Sequence, residues 1–149
     1  MGHKLLLVAM VITSLMILSV VNYRTEAAPS KVLQGFGAGG QLTCADGSPR
    51  SLDFWNLSLN KAKGQLFGGL SALASTGQPN DLSINFNSGT ITETKYTASG
   101  VGTDNICSTF VDPVKVTIQG RCGSDSNIAQ VTLSNGARGT LSGTVACNH

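Results

Sequence analysis

The sequence is short of charge, of aromatic rings and of histidine, and each shortage removes a class of function. Charged residues make up 12% of the 149 positions and aromatics 5%. Nucleophilic triads and histidine metal sites need an imidazole held in a cleft. The two histidines, His3 and His149, lie near the ends, and only His149 follows the N-terminal leader, two residues beyond the last cysteine. No Cys-x-x-Cys pair occurs, so the spacing also argues against zinc. Asp46-Gly47 lacks the repeated aspartates of a calcium loop. The glycine-rich stretch 35–40 lacks the Gly-Lys-Ser/Thr ending and following helix of a phosphate loop. No cofactor is expected. The net charge is +2, part of it in the leader, so no field favours nucleic acid or an anionic membrane surface. Beyond the leader, no ten-residue stretch carries a helical apolar stripe.

What remains is strict alternation. In residues 114–122 the even positions are apolar or small (Val114, Val116, Ile118, Gly120, Cys122) and the odd ones polar (Lys115, Thr117, Gln119, Arg121). Side chains alternate between the faces of a strand, so this run buries one face and wets the other. A loop is expected at 123–127. Ala129, Val131 and Leu133 then share a face, and Asn135-Gly136 is the preferred pair of a type I′ hairpin turn. Gly139, Leu141, Gly143, Val145 and Cys147 repeat the inward pattern, so residues 114–147 read as a three-stranded antiparallel meander.

Upstream, Phe36, Ala38, Gly40, Leu42 and Cys44 fall on one parity. In the run 52–59 the parity slips midway, from Leu52 and Phe54 to Trp55, Leu57 and Leu59, which suggests a β-bulge. Leu66, Gly68, Leu70 and Ala72 alternate, as do Leu82, Ile84 and Phe86. Turns are read at 46–49, 60–64 and 87–89, and loops at 75–81 and 100–105. The expectation is all-β: an antiparallel up-and-down barrel or a two-sheet sandwich of about eight strands, preceded by an N-terminal signal helix.

The N-terminus has the order of a secretory signal: Lys4, an apolar run from Leu5 to Val21, a polar stretch, then Ala27 and Ala28. The run is roughly 17 residues, the short edge of a membrane span, so an uncleaved anchor is the rival reading. The organisation is therefore 1–27 signal peptide or anchor, 28–34 flexible lead and 35–149 a single disulfide-stabilised β domain. Either way the remainder lies outside the cytoplasm, secreted or on the outer face of the membrane. An even cysteine count in a small exported domain reads as two disulfides. The expected pairs are Cys44–Cys147 and Cys107–Cys122, each joining segments expected to lie side by side.

Three motifs recur together: Gly-x-Leu-x-Cys before a glycine turn (Gly40 to Gly47), Val-x-Ile-x-Gly-x-Cys-Gly (Val116 to Gly123) and Gly-x-Leu-x-Gly-x-Val-x-Cys (Gly139 to Cys147), with Asn105-Ile106-Cys107 between them. In these the chain resembles short exported all-β, four-cysteine proteins found in multiple copies in some archaea. The resemblance implies a fold and an extracellular place. It carries no activity and no site residue.

For catalysis only a carboxylate pair is conceivable, and Asp53 and Glu93 are the acids placed on predicted strands; Asp46, Asp81, Asp104, Asp112 and Asp125 fall in turns or loops. Trp55, the single tryptophan, is either a core anchor, given the area it buries, or a stacking platform for a sugar. Tyr96, Phe36, Phe54, Phe67 and Phe86 are read as core or half-buried. Asn56-Leu57-Ser58 is a glycosylation sequon, placed in a strand. The chain thus reads as a non-enzymatic structural or interaction domain of the cell exterior, partnered by an envelope component or a glycan. A ligand-binding barrel or sandwich is the second reading and an extracellular hydrolase the third.

Overall fold

The computed structural model describes residues 30–75, 81–108 and 113–148. The leader expected at 1–27, together with Asp112 and His149, lies outside the described residues. The rest is nine antiparallel strands: β1 (Lys31–Gly37), β2 (Gly40–Thr43), β3 (Pro49–Ala62), β4 (Gln65–Ala74), β5 (Asp81–Ile91), β6 (Lys95–Asp104), β7 (Val114–Arg121), β8 (Gly123–Leu133) and β9 (Arg138–Asn148). From β3 to β9 each strand pairs with the next. β1 and β2, one bent strand in two pieces, both lie between β3 and β9. The sheet therefore closes on itself as an eight-strand up-and-down barrel, which decides between barrel and sandwich.

The interior is apolar. Leu33, Leu57, Leu59, Ile84, Ile118, Leu141 and their neighbours are buried in one cluster. The inward parities read from 66–72, 82–86 and 114–147 hold, and the slip in β3 is a bulge between Leu52 and Phe54. The first strand departs from expectation. Leu33 is fully buried, with its backbone opposite Leu59 and Cys147, so the supposed flexible lead 28–34 already contains strand from Lys31. Phe36 points outward, 60% exposed, because inward parity in β1 belongs to Leu33, Gly35 and Gly37. It switches at the bend between β1 and β2. Phe54 and Phe67 are also outward, while Phe86 and Tyr96 are buried.

Several predicted turns are strand. Residues 87–89 form a bulge in β5, not a hairpin, and 100–104 continue β6. Their glycines serve close packing: a Cβ on Gly100 would lie 2.0 Å from the Asn85 carbonyl oxygen. Residues 123–127 are the start of β8, paired with the end of β9. At 134–136 the loop has three residues, and only Gly136 has positive φ. Leu133 N–H donates to the Ala137 carbonyl, so this is a type I turn closed by a left-handed glycine, not a type I′ turn. The two-residue hairpin with both residues at positive φ is Lys63-Gly64, between β3 and β4.

Both expected disulfide pairings are overturned. The bonds are Cys44–Cys107 and Cys122–Cys147, with Cα separations of 5.2 and 5.8 Å. The reason is the alternation of strand direction. Cysteines separated by an odd number of strands sit at opposite ends of the barrel, and those separated by an even number share an end. Four strands lie between Cys44 and Cys107 and two between Cys122 and Cys147, but β7 alone separates Cys107 from Cys122. Eight residues of strand span roughly 26 Å, against the ~7 Å that a disulfide bridges. One bond therefore ties each end of the barrel.

The Cys107 end is further organised by Asp104, a carboxylate only 2% exposed. Its Oδ1 accepts from the Ile106 and Cys107 N–H groups at 3.0 Å, and its Oδ2 accepts from Asn135 Nδ2 at 2.8 Å. Asn135 Oδ1 in turn accepts from the Ala137 N–H at 3.1 Å. The β6 end and the β8–β9 turn are thus held by one side chain.

Two predictions follow from this geometry. Non-reducing peptide mapping is expected to link Cys44 to Cys107 and Cys122 to Cys147, and replacing each pair by serine lowers unfolding free energy by about 4 and about 3.5 kcal/mol respectively, from loops of 63 and 25 residues. Asp104→Ala leaves three donors, one buried and two partly buried, without their acceptor and costs about 3 kcal/mol in denaturant melts, with Asp104→Asn losing less.

Candidate binding surface

The outward residues of β6 to β9 and β2 are overwhelmingly hydroxyls and amides, because alternation gives every second position of these strands to water. Register lines them into rows across the strands. One row runs Thr90, Thr97, Gln119, Gln130, Thr140, Gln41, Ser51. The next runs Ser88, Ser99, Thr117, Thr132, Arg138, Thr43. Neighbours in a row hydrogen-bond: Thr90 with Thr97 at 3.0 Å, Ser99 with Thr117 at 3.3 Å, and Gln119 Nε2 donating to Gln130 Oε1 at 3.0 Å. The surface is pre-ordered by its own side chains.

Two shallow depressions lie on it and share Gln130. The larger, about 450 Å³, opens where β7 and β8 part beyond the Gly120–Ala129 pair. Here β8 carries two extra residues relative to β9, so Ile128 and Ala129 are both buried and the strand leaves its neighbour. Lys95, Thr97, Gln119, Arg121, Asn127 and Gln130 form the walls over Tyr96, Gly120, Ile128 and Ala129. Arg121 is ion-paired with Asp125. The Asp125 carboxyl is held below its ordinary range, first by the Asn127 N–H and then by the Ser126 hydroxyl. The smaller depression, about 350 Å³, is bordered by Gln41, Thr43, Thr132, Arg138 and Thr140.

Beneath the larger depression Tyr96 crosses the opposite strand at Gly120, its direct partner. A Cβ on Gly120 would lie 2.4 Å from the Tyr96 hydroxyl, so only glycine admits the ring. That hydroxyl is buried without a hydrogen-bond partner. Burial pushes its ionisation well above the usual value.

The residues singled out from sequence do not converge. Trp55 is fully buried, and its Nε1 donates to the Ser142 carbonyl at 2.9 Å, so it is a core anchor and not a sugar platform. Asp53 lies exposed in the β3 bulge, accepting a hydrogen bond from the Ser75 hydroxyl. Glu93 sits in the β5–β6 turn instead of a strand, at the other end of the barrel. The two carboxylates are thus not placed as a glycosidase pair. Asn56 is exposed on β3. Among the described residues no group of three or more Cys, Asp or Glu side chains is arranged to hold a metal. The wet face of 114–122 is legible in the sequence, whereas the rows exist only once strand registers are known.

Tyr96→Phe removes an unsatisfied buried hydroxyl and is expected to raise unfolding free energy by about 1 kcal/mol. A raised phenol pKa in the fold means that the folded chain holds a proton that the unfolded chain releases above pH 10. The Tyr96 contribution is therefore complete below pH 10 and lost as the pH climbs beyond it. Denaturant melts between pH 8 and 11 should show a steeper alkaline fall for the wild type than for Tyr96→Phe.

Comparison with family models, with curated proteins and with solved structures gives no match for this chain.

Proposed function

We propose that this is a non-enzymatic domain of the cell exterior that works through the outer surface of its barrel, contacting an uncharged, hydroxyl-rich polymer such as an envelope polysaccharide. The observation that carries this reading is the division of labour across the sheet. Inward positions are filled by apolar side chains, while the outer face of β6 to β9 and β2 presents ordered rows of Thr, Ser and Gln. Hydroxyls and primary amides donate and accept together, which suits a partner with the same mixed chemistry. Lys95, Lys115, Arg121 and Arg138 surround the rows, and apart from the buried Asp104 the half-buried Asp125 is the one acid on β6 to β9, so a few uronate or phosphate groups on the polymer would be tolerated. The leader pattern and the two disulfides support a place outside the cytoplasm. The resemblance of the glycine and cysteine motifs to those of exported archaeal β proteins would point the same way.

The test is co-sedimentation of the purified domain, residues 28–149, with insoluble envelope polysaccharide of the producing cell. Saturable binding is expected, weakened roughly tenfold in Gln119→Ala/Gln130→Ala through lost hydrogen bonds, with the melting temperature nearly unchanged. Binding of soluble oligosaccharides that shifts Trp55 emission would instead place the ligand inside the barrel. Release of reducing sugar during the assay would favour a hydrolase.

A further inference from the structure

The outer surface of β1, β3 and β4 exposes apolar side chains. Phe36, Phe54 and Leu73 are 60%, 44% and 50% exposed. Phe54 is paired with Leu73 across β3 and β4. Phe36, on β1, is diagonal to Phe54, because its direct partner on β3 is Asn56. Asn56 has Ser71 on its other flank. Three apolar side chains therefore gather around one exposed asparagine. That asparagine opens Asn56-Leu57-Ser58, and since Leu57 is buried, Asn56 and Ser58 point outward together.

We propose that Asn56 carries an N-linked oligosaccharide whose first sugar ring lies against Phe36 and Phe54 and covers this patch. The inference rests on the export reading above, since the transfer takes place on exported chains. The step uses an oligosaccharide carried on a polyprenyl phosphate. The Asn56 amide nitrogen attacks the anomeric carbon, a C–N bond forms, the C–O bond to phosphate breaks, the lipid phosphate leaves, and one amide proton passes to a base of the transferring enzyme. In the folded barrel the backbone at 55–58 is locked between β1 and β4. Transfer therefore precedes strand pairing, on the chain as it crosses the membrane.

A sugar suits the patch better than a protein partner. The three side chains together expose roughly 300 Å² of apolar surface, well below the ~800 Å² per partner of a standard interface. A docked protein surface would also bury the Asn56 amide among apolar groups, where unpaired donors are costly. A sugar linked to that amide removes one donor and keeps the linkage in water, while the apolar face of its ring shields the aromatic surface.

The full chain, produced in its own host, is recovered from the medium or cell surface, and its tryptic peptide 51–61 is fragmented by mass spectrometry. An oligosaccharide on Asn56 is expected, absent in Asn56→Gln and Ser58→Ala and retained in Ser58→Thr. Fluorescence of a hydrophobic dye should rise several-fold in Asn56→Gln, and the excess should vanish when Phe36→Ser and Phe54→Ser are added. An unmodified peptide 51–61 from exported protein overturns the inference and leaves the export reading standing. Recovery of the chain only inside the cell overturns both. Equal dye binding by the glycosylated wild type and Asn56→Gln overturns the covering role.

Discussion

Barrel closure is the constraint on which the rest of this structure depends. An up-and-down meander closes only if its first and last strands meet, and here the first strand is bent between Gly37 and Gly40 so that it pairs with β9 along both its pieces. The bend absorbs a one-residue slip: Phe36 faces Thr144, but Gly40 faces Leu141. Trp55 fills the space beneath this seam. Its Nε1 is bonded to Ser142 on β9, and its ring lies so close to Gly35, Gly37 and Gly143 that a Cβ on any of them would stand within about 3 Å of it. The largest side chain of the core thus sits where the sheet joins itself, and the neighbouring glycines are small because the indole is there. An aromatic residue crossing an inward glycine recurs at Tyr96 and Gly120. A barrel this narrow takes large rings by removing side chains opposite them.

Closure also explains the placement of the covalent bonds. A closed sheet has no edge strands to fray, so its vulnerable regions are its two ends, where strands stop and turns begin. The disulfides stand there, one at each end, and Asp104 adds a polar clasp beside Cys107. The two bonds restrain long and short loops of the unfolded chain while leaving the outer faces of the strands free of structural duty. Those faces can then diverge: rows of hydroxyls and amides along β6 to β9 and β2, an apolar patch around an asparagine on β1, β3 and β4.

Much of the barrel is legible in the alternation of residues 114–147 and of 66–72 and 82–86, because one buried face imposes a period of two. The misplaced strand ends share one physical source. Glycine is ordinarily a turn signal, but in this chain Gly89, Gly100 and Gly102 lie within strands, where a neighbouring carbonyl occupies the space of a side chain. Reading them as turns cut β5 and β6 short. In the first strand Gly35 and Gly37 hold the inward positions, so the apolar parity of the sequence there runs opposite to the buried one and Phe36 faces out. The disulfide pairing was recoverable in principle, since counting strands between cysteines gives their ends of the barrel, but only with correct strand boundaries. Trp55 was legible as a core residue from its size. Its partner carbonyl, 87 positions away at Ser142, was not. The burial of Asp104 and the rows through Gln119 and Gln130 belong to tertiary register, which no local pattern encodes.

That distinction bears on where function can reside. A cavity-based binding protein places its specificity inside the barrel, so its inward positions include polar groups aimed at the ligand. Here the inward positions along the middle of the strands are apolar or glycine, Lys31 and Lys61 take inward parity only where β1 begins and β3 ends, and Asp104, which is buried at one end, spends its oxygens on the backbone of residues 106 and 107 and on Asn135. The interior is committed to closure. The outward positions, by contrast, carry side chains released from packing by the same alternation that builds the core, and it is there that the proposed contact with a polymer is made. On β6 to β9 those positions are occupied by residues that give and take hydrogen bonds and carry little charge. A surface of that kind gains little from long-range attraction and gains contact by contact, which makes its affinity depend on how many rows a partner spans. An extended polymer spans several at once, and a small molecule does not.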